Sequence, residues 1–287
     1  MDPVVLTSDL GAILEDKPQF LRGLNEIVGI SEKNIFIAGG RDFPGKVAVM
    51  LPTYNEYENL AIIIPTILII FDHYDIDGRV VVVDDDSPDG SWKLVKDFSR
   101  VDPRIHLIHR TKNKGRGSAG IVGLRACLNL GADYVIEMDA DFSHDPRYIP
   151  VLLDQVLRDG YDLVLGSRFV EGGEDHERSL GRKVTSKVSI AIIKTLFPSN
   201  VCDCNCGFRC YPRATLERVL KEITTTDYHE FLLRAIEHGC KIKEIPVKFK
   251  DRKVGVSKLN PRRLFNSLVE LVVIKFPFLR FLRRLVR

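Results

Sequence analysis

The chain has 287 residues, 45% of them hydrophobic and 28% charged, enough to bury a core without disulfide or metal staples. Forty-two basic against 39 acidic residues leave a net charge of +3, which excludes the strong field of a nucleic-acid binder. No stretch reaches the roughly 18 uninterrupted apolar residues of a membrane-spanning helix.

Residues 1–45 are weakly patterned and read as an accessory extension, with one short helix expected around Leu10–Leu24 and a glycine exit at Gly39-Gly40. The opening MDPVVLTSDL lacks the positive region and apolar run of a secretory signal, so a cytosolic body is expected. From Lys46 short apolar runs alternate with helical segments, the pattern of βαβ units on a largely parallel sheet. The runs are Val47–Leu51, Val80–Val83, Ile105–Ile108, Tyr134–Met138 and Leu163–Leu165. Helices are expected over Glu56–Phe71, Ser91–Arg100, Ser118–Leu130 and Arg147–Arg158. Runs apolar at every position indicate strands covered on both faces, and ligands in such sheets sit at the carboxyl ends of the strands.

Acids, amides and arginines gather at those ends. Asp139 and Asp141, one residue apart after Tyr134–Met138, would point to the same side of a continuing strand. Two carboxylates so placed suit a hard divalent cation such as Mg2+ or Mn2+, while the bland alternative is a polar turn. Asp145, before Pro146, reads as the N-cap of the next helix. Asp84-Asp85-Asp86 precedes the turn Ser-Pro-Asp-Gly, so Asp86 and Asp89 fit turn caps while one of the first two acids could take hydrogen bonds from a base or ribose. Gly115-x-Gly117-x-x-Gly120 matches a dinucleotide fingerprint but follows the third strand rather than the first, amid Lys112, Lys114 and Arg116; a tight helix start near phosphates explains it better. Cys202, Cys204 and Cys206 would share one face of a strand, and with Cys210 they lack the paired spacing of zinc ligands, leaving small buried thiols as the default.

The last 27 residues, from Pro261, hold six Arg, one Lys and one Glu, a net +6 beside a body at −3. Asn260-Pro261 is a helix start. After Pro277, Phe278, Phe281, Leu282 and Leu285 repeat at helical spacing beside Arg280, Arg283, Arg284 and Arg287, the pattern of a helix lying in a membrane interface or packing on the body or a partner.

In order and spacing, Pro52-Thr-Tyr-Asn-Glu56, Val83-Asp-Asp-Asp-Ser-Pro-Asp-Gly90, Asn113-x-Gly-x-Gly117, Met138-Asp-Ala-Asp-Phe-Ser-His-Asp-Pro146, Gly166-Ser-Arg168, Gly207-Phe-Arg209 and the Asp251–Leu259 segment resemble the family 2 glycosyltransferases, more closely the dolichyl-phosphate mannose synthases. The resemblance implies a GT-A α/β fold, a mostly parallel Rossmann-like sheet flanked by helices, over 46–260, followed by C-terminal amphipathic helices in a membrane-associating tail, 261–287. It implies inverting transfer of mannose from GDP-mannose to dolichyl or another polyprenyl phosphate, with UDP-glucose as a competing donor and a sugar hydroxyl as a competing acceptor. Pro52, Tyr54, Glu56, Val83 and Asp85 would line the nucleoside pocket. Asp139 and Asp141, around Ala140, would hold Mg2+ or Mn2+, and Ser143 stands where some relatives place a further ligand. Arg168 would meet the sugar nucleotide, Arg252, Ser257 and Lys258 would close over phosphates, and Arg182 and Ser186, at i and i+4, would take the acceptor phosphate. A peripheral site on the cytoplasmic face of a membrane follows, with a membrane-anchoring subunit as a further partner and no role for nucleic acid. A hydroxyl acceptor would need a carboxylate base, for which Asp203 and Glu230 are candidates. Asn205-Cys206-Gly207 departs from the small hydroxyl pair usual before Phe-Arg in the relatives.

Overall fold

The computed structural model describes residues 43–175, 180–227, 229–249, 261–276, 278–279 and 281–282; the Leu10–Leu24 region, Asn260, Arg252, Ser257 and Lys258 lie outside them. The five apolar runs form β1 (Val47–Thr53), β2 (Gly78–Asp84), β3 (Ile105–His109), β4 (Tyr134–Glu137) and β5 (Leu163–Ser167). Between them lie α1 (Tyr57–His73), α2 (Ser91–Val101), α3 (Arg116–Asn129) and α4 (Ile149–Asp159). A 3-10 turn, Pro146–Tyr148, opens α4, and Asp145 caps it by accepting the Arg147 N–H at 3.0 Å. The later elements are β6 (Glu174–Asp175), α5 (Leu180–Leu196), β7 (Arg209–Pro212), α6 (Arg213–Val219), α7 (Glu230–Glu237), β8 (Ile242–Pro246), β9 (Lys248–Phe249) and α8 (Pro261–Lys275).

The main sheet has seven strands in the order β3-β2-β1-β4-β7-β5-β8. Its pairs are parallel except at β7, which runs antiparallel to both β4 and β5. Strand alternation splits the core cleanly. Val47, Val49 and Leu51 with Val80 and Val82 face α1, α2 and α4, while Ala48, Met50, Val81 and Val83 face α3 and the cluster it shares with α5 to α8. Each Val, Leu or Ile so buried contributes about 1.5–3 kcal/mol relative to exposure, which makes the sheet a rigid platform for whatever projects from its ends.

Close packing of α3 on that platform depends on Gly123. A methyl group there would come within 2.6 Å of Met50 Cγ and 2.9 Å of Val83 Cγ2. Pro52 falls where β4 no longer pairs with β1, since that ladder ends at Met50↔Glu137, so its missing N–H leaves no gap on that side.

Two sequence expectations change. β4 stops at Glu137, so Asp139 and Asp141 stand on the bend after the strand and alternation does not orient them. Residues 201–208 are not a strand, and the Cys202/Cys204/Cys206 face does not exist. Side chains replace the missing ladder: Glu244 accepts the N–H groups of Cys202 and Asp203 at 2.7 and 2.8 Å, and buried Arg209 donates to the carbonyls of Cys206 and Cys204 at 2.8 and 3.4 Å. Cys204, Cys206 and Cys210 are buried free thiols. Burial pushes Cys204 up to about 11 and Cys206 up to about 12.

Helix α8 packs against α5 and puts Leu271 and Ile274 into the core. Beyond it, Phe278, Leu279, Phe281 and Leu282 are in 3-10 rather than α conformation, and residues 283–287 lie outside the described set. No helix among the described residues is long and apolar enough to cross a membrane.

Candidate active site

The carboxyl ends of β1 to β4 carry loops bent by four non-glycine residues at positive φ: Asn55 at 60°, Asp86 at 59°, Asn113 at 54° and Phe142 at 57°. Such backbone costs energy and concentrates at functional sites. Here it packs several loops into one cluster. The loop after β2 serves the start of α1: Ser87 Oγ takes the Asn55 N–H at 2.9 Å, Ser91 Oγ takes that of Glu56 at 3.0 Å, and Asp89 takes that of Tyr57 at 3.0 Å. Helix α1 is thus capped from another loop. Tyr54 stands 42% exposed above this cluster, Glu56 bonds Asn59 at 2.6 Å, and Pro52 and Val83 are buried beneath it.

The three acids after β2 have separate tasks. Asp84 is fully buried and accepts both the N–H and the hydroxyl of Ser87, at 2.8 and 2.6 Å. Burial nevertheless raises its carboxyl above the ordinary value. Asp85 lies 3.1 Å from Arg110 Nη1 and accepts the Gly115 N–H at 2.6 Å. Gly115 has φ 140°, a conformation suited to glycine, and it lets α3 begin beside that carboxylate. Asp86 is half-buried and held below the usual range by hydrogen bonds from Lys114 and His109. Asp89, taken at sequence level as a turn cap, is one: it accepts the Ser91 N–H at 2.9 Å.

The glycine-rich turn therefore serves acids rather than a dinucleotide. Its Arg116 donates to Glu137 at 2.8 Å and lies 3.0 Å from Asp139. A Cβ on Gly120 would sit 3.3 Å from both Arg116 Nη1 and Glu137 Oε1, so the third glycine makes room for that ion pair. Glu137 is buried and also accepts the Tyr211 hydroxyl at 2.8 Å.

Asp141 is buried, and Ser143 meets it through its backbone, donating N–H to Asp141 Oδ1 at 3.1 Å. The left-handed turn at Phe142 permits this return. Ala140 is buried between the two acids. His144 accepts the Asp139 N–H on Nδ1 at 3.0 Å, stacks on Phe208 and approaches Cys206 Sγ at 3.9 Å. Burial lowers the pKa of its ring, against the pull of Asp139 and Asp141. Two hard carboxylates on one bend fit a divalent cation. Among the described residues no cluster of three or more His, Cys, Asp or Glu could cage one.

Across the sheet, at the end of β5, Arg168 lies against Asp203 in a buried two-pronged pair, with 2.7 Å from Nε to Oδ2 and 2.7 Å from Nη2 to Oδ1. Burial opposes the charge on Arg168, and Asp203 more than restores it. Arg182 and Ser186 both lie on α5; the side chain of Arg182 is not described, and Ser186 is buried with its Oγ 3.1 Å from Asn205 Nδ2. Glu230 is also fully buried, accepting from Thr224 N and Oγ at 2.9 Å each and from Thr225 N at 2.6 Å. The counter-ions Arg110 and Arg116, and buried Glu137, were not singled out by sequence reasoning. Basic crowding in the glycine turn was the only signal for Arg116, and none marked the others.

Glycosyl transferase family 2 matches residues 48–223. A polyprenol monophosphomannose synthase of Mycolicibacterium smegmatis is 36% identical over 78% of this chain and 84% of its own length. An undecaprenyl-phosphate mannosyltransferase of Micrococcus luteus is 35% identical over 75% and 88%. In fold, the chain resembles glucosyl-3-phosphoglycerate synthase from Mycobacterium tuberculosis in complex with Mn2+, UDP and phosphoglyceric acid, with TM-score 0.62, 17% identity, and 81% and 79% coverage. The seven-stranded sheet with one reversed strand, the acids at its strand ends and a family match over more than half the sequence lead to one assignment: the chain belongs to glycosyl transferase family 2 and is a GT-A glycosyltransferase.

Proposed function

We propose that this glycosyltransferase moves mannose from GDP-mannose to a polyprenyl phosphate such as dolichyl phosphate, with inversion at the sugar carbon, on the cytoplasmic face of a membrane. The observation that carries the reading is the state of the two acids that could serve a hydroxyl acceptor. Asp203 is fully buried in its pair with Arg168, and Glu230 is fully buried under the 224–225 loop. A hydroxyl must lose a proton to attack, whereas a phosphate monoester is already anionic near neutral pH and needs none removed. Of the two relatives, by name, one makes polyprenol monophosphomannose and the other is an undecaprenyl-phosphate mannosyltransferase.

Asp139 and Asp141 would hold Mg2+ or Mn2+. When bound, such an ion supplies the positive charge that lets a diphosphate depart. The protein's own work is placement. The loops around Tyr54, Glu56 and Asp85 form a wall for the nucleoside, and Arg116 sets positive charge beside Asp139. Arg182 and Ser186 on α5 would seat the acceptor phosphate, Arg168 would meet the sugar nucleotide, and Arg252, Ser257 and Lys258 would close over the phosphates. Holding two anionic substrates in line converts a bimolecular encounter into an oriented one. Exposed Phe276, Phe278 and Phe281 after α8 supply apolar surface for a membrane beside the basic tail.

A panel of GDP-mannose, UDP-glucose and other nucleotide sugars, offered with polyprenyl phosphate, polyprenol and sugar acceptors in Mg2+ or Mn2+, tests the reading. Mannosyl transfer from GDP-mannose to the phosphate is the expected result. Transfer confined to hydroxyl acceptors would overturn it.

A further inference from the structure

Loop 201–208 joins a residue expected at the sugar nucleotide, Arg168, to one expected at the acceptor, Ser186. Asp203 grips Arg168, and two residues on Asn205 reaches Ser186 of α5. Behind Asn205 stands His229, whose Nε2 is 2.9 Å from Asn205 Oδ1, and behind His229 stands Asp227, 3.0 Å from Nδ1. The result is a chain Asp227, His229, Asn205, Ser186 running from the start of α7 to the face of α5.

Its polarity can be read from its contacts. Asn205 Nδ2 is 3.1 Å from Ser186 Oγ and 3.4 Å from the Ser186 carbonyl oxygen, while Oδ1 faces His229 and lies 3.5 Å from Ser189 Oγ. A reversed amide would set two carbonyl oxygens against each other, so the nitrogen faces Ser186. Ser186 Oγ therefore accepts from Asn205. Its own hydrogen has no acceptor among the described residues and is left to donate elsewhere. A hydroxyl that accepts at one side is a better donor at the other, and hydrogen bonds in series strengthen one another.

We propose that Asn205, oriented by His229 and Asp227, is a positioning residue that turns the Ser186 hydroxyl toward the acceptor phosphate. The proposal rests on the lipid-phosphate reading above. Because Asn205 bonds Ser186, its effect is expected on acceptor binding.

The experiment is a double-mutant cycle on the full chain, with KM measured separately for GDP-mannose and polyprenyl phosphate. Asn205→Ala should raise KM for the lipid phosphate about tenfold and leave donor KM and melting temperature unchanged. In a Ser186→Ala background the same change should add less than about twofold, because the group through which it acts is gone. His229→Gln, whose amide can replace the Nε2 donor, should keep the low KM, and His229→Leu should match Asn205→Ala. Equal losses in both backgrounds, or a donor KM that moves in step, would overturn the proposal in favour of a loop that merely needs Asn205 to fold. The same variants titrated with citronellyl phosphate and citronellol separate the two levels. A wild type that binds the phosphate selectively but transfers nothing to it refutes the function and leaves the Asn205 proposal to the binding data. Binding of phosphate and alcohol alike, or of neither, overturns both.

Discussion

The donor end and the acceptor end of the site are built on opposite electrostatic plans. At the ends of β1, β2 and β4 some of the paired acids still reach solvent: the Asp139 side chain is 30% exposed and that of Asp86 is 42% exposed. At the acceptor end Asp203 and Glu230 are fully buried and bonded within the protein. One end keeps negative charge available for a cation. The other spends its carboxylates to hold arginine, histidine and hydroxyl groups in place for an anion. Such a division suits a reaction in which a diphosphate leaves on one side and a phosphate enters on the other.

Asp141→Asn gives the sharpest test of the donor half. If Asp139 and Asp141 hold the cation, removing one charge should lower turnover by about a hundredfold or more, with a higher Mg2+ or Mn2+ requirement. Initial rates across a metal titration measure it, and full turnover at every metal concentration would sink the assignment. The acceptor half predicts a different kind of loss. Asp203→Asn strands Arg168 in a buried site, which should destabilise the fold by about 3–5 kcal/mol in denaturant unfolding. Unchanged stability would mean that the pair does not brace this end, and the contrast between the two halves would fall.

The same contrast governs what could be read without coordinates. Five of the six main-sheet strands in parallel pairs were legible, β1, β2 and β5 most clearly because strands buried on both faces have no polar alternation to obscure them, and Val80–Val83 is apolar at every position; the polar edge strand β8 was not. Strand β7 was not, because four residues beginning with buried Arg209 carry no strand signature, and its place between β4 and β5 comes from pairing partners far away in sequence. Donor-side acids announced themselves as DDD and DAD, since each motif is local. Their arginine partners lie over 20 residues off, as with Arg116 and Asp139, and no spacing rule reaches so far. On the acceptor side the departure at Asn205 was visible, but its meaning waited on His229, 24 residues later.

Gly123→Ala probes the platform beneath the donor end. An added methyl group must displace Met50 and Val83, which should cost about 1–3 kcal/mol and move α3, and with it Arg116, away from the strand ends. A matching rise in donor KM with acceptor KM unchanged would show the halves to be mechanically separate. Equal rises in both would show them to be one unit.

The smallest expected effect concerns the surface nearest the acceptor half. Because α8 packs on α5, the helix that carries Ser186, the aromatic residues after α8 are tied to the side where a lipid phosphate would arrive. Phe278 is 77% and Phe281 60% exposed, more than any other large apolar side chains among the described residues. A single aromatic pair gives weak, reversible attachment, and the basic tail adds attraction for anionic headgroups. Replacing both by Ala should therefore weaken cosedimentation with anionic vesicles only about threefold to tenfold. Turnover of a short, water-soluble prenyl phosphate should stay at the wild-type rate, because that substrate needs no membrane to reach Ser186. A fall in turnover of the soluble acceptor equal to the fall in vesicle binding would place these rings in the acceptor site itself, and the membrane role would lose its support.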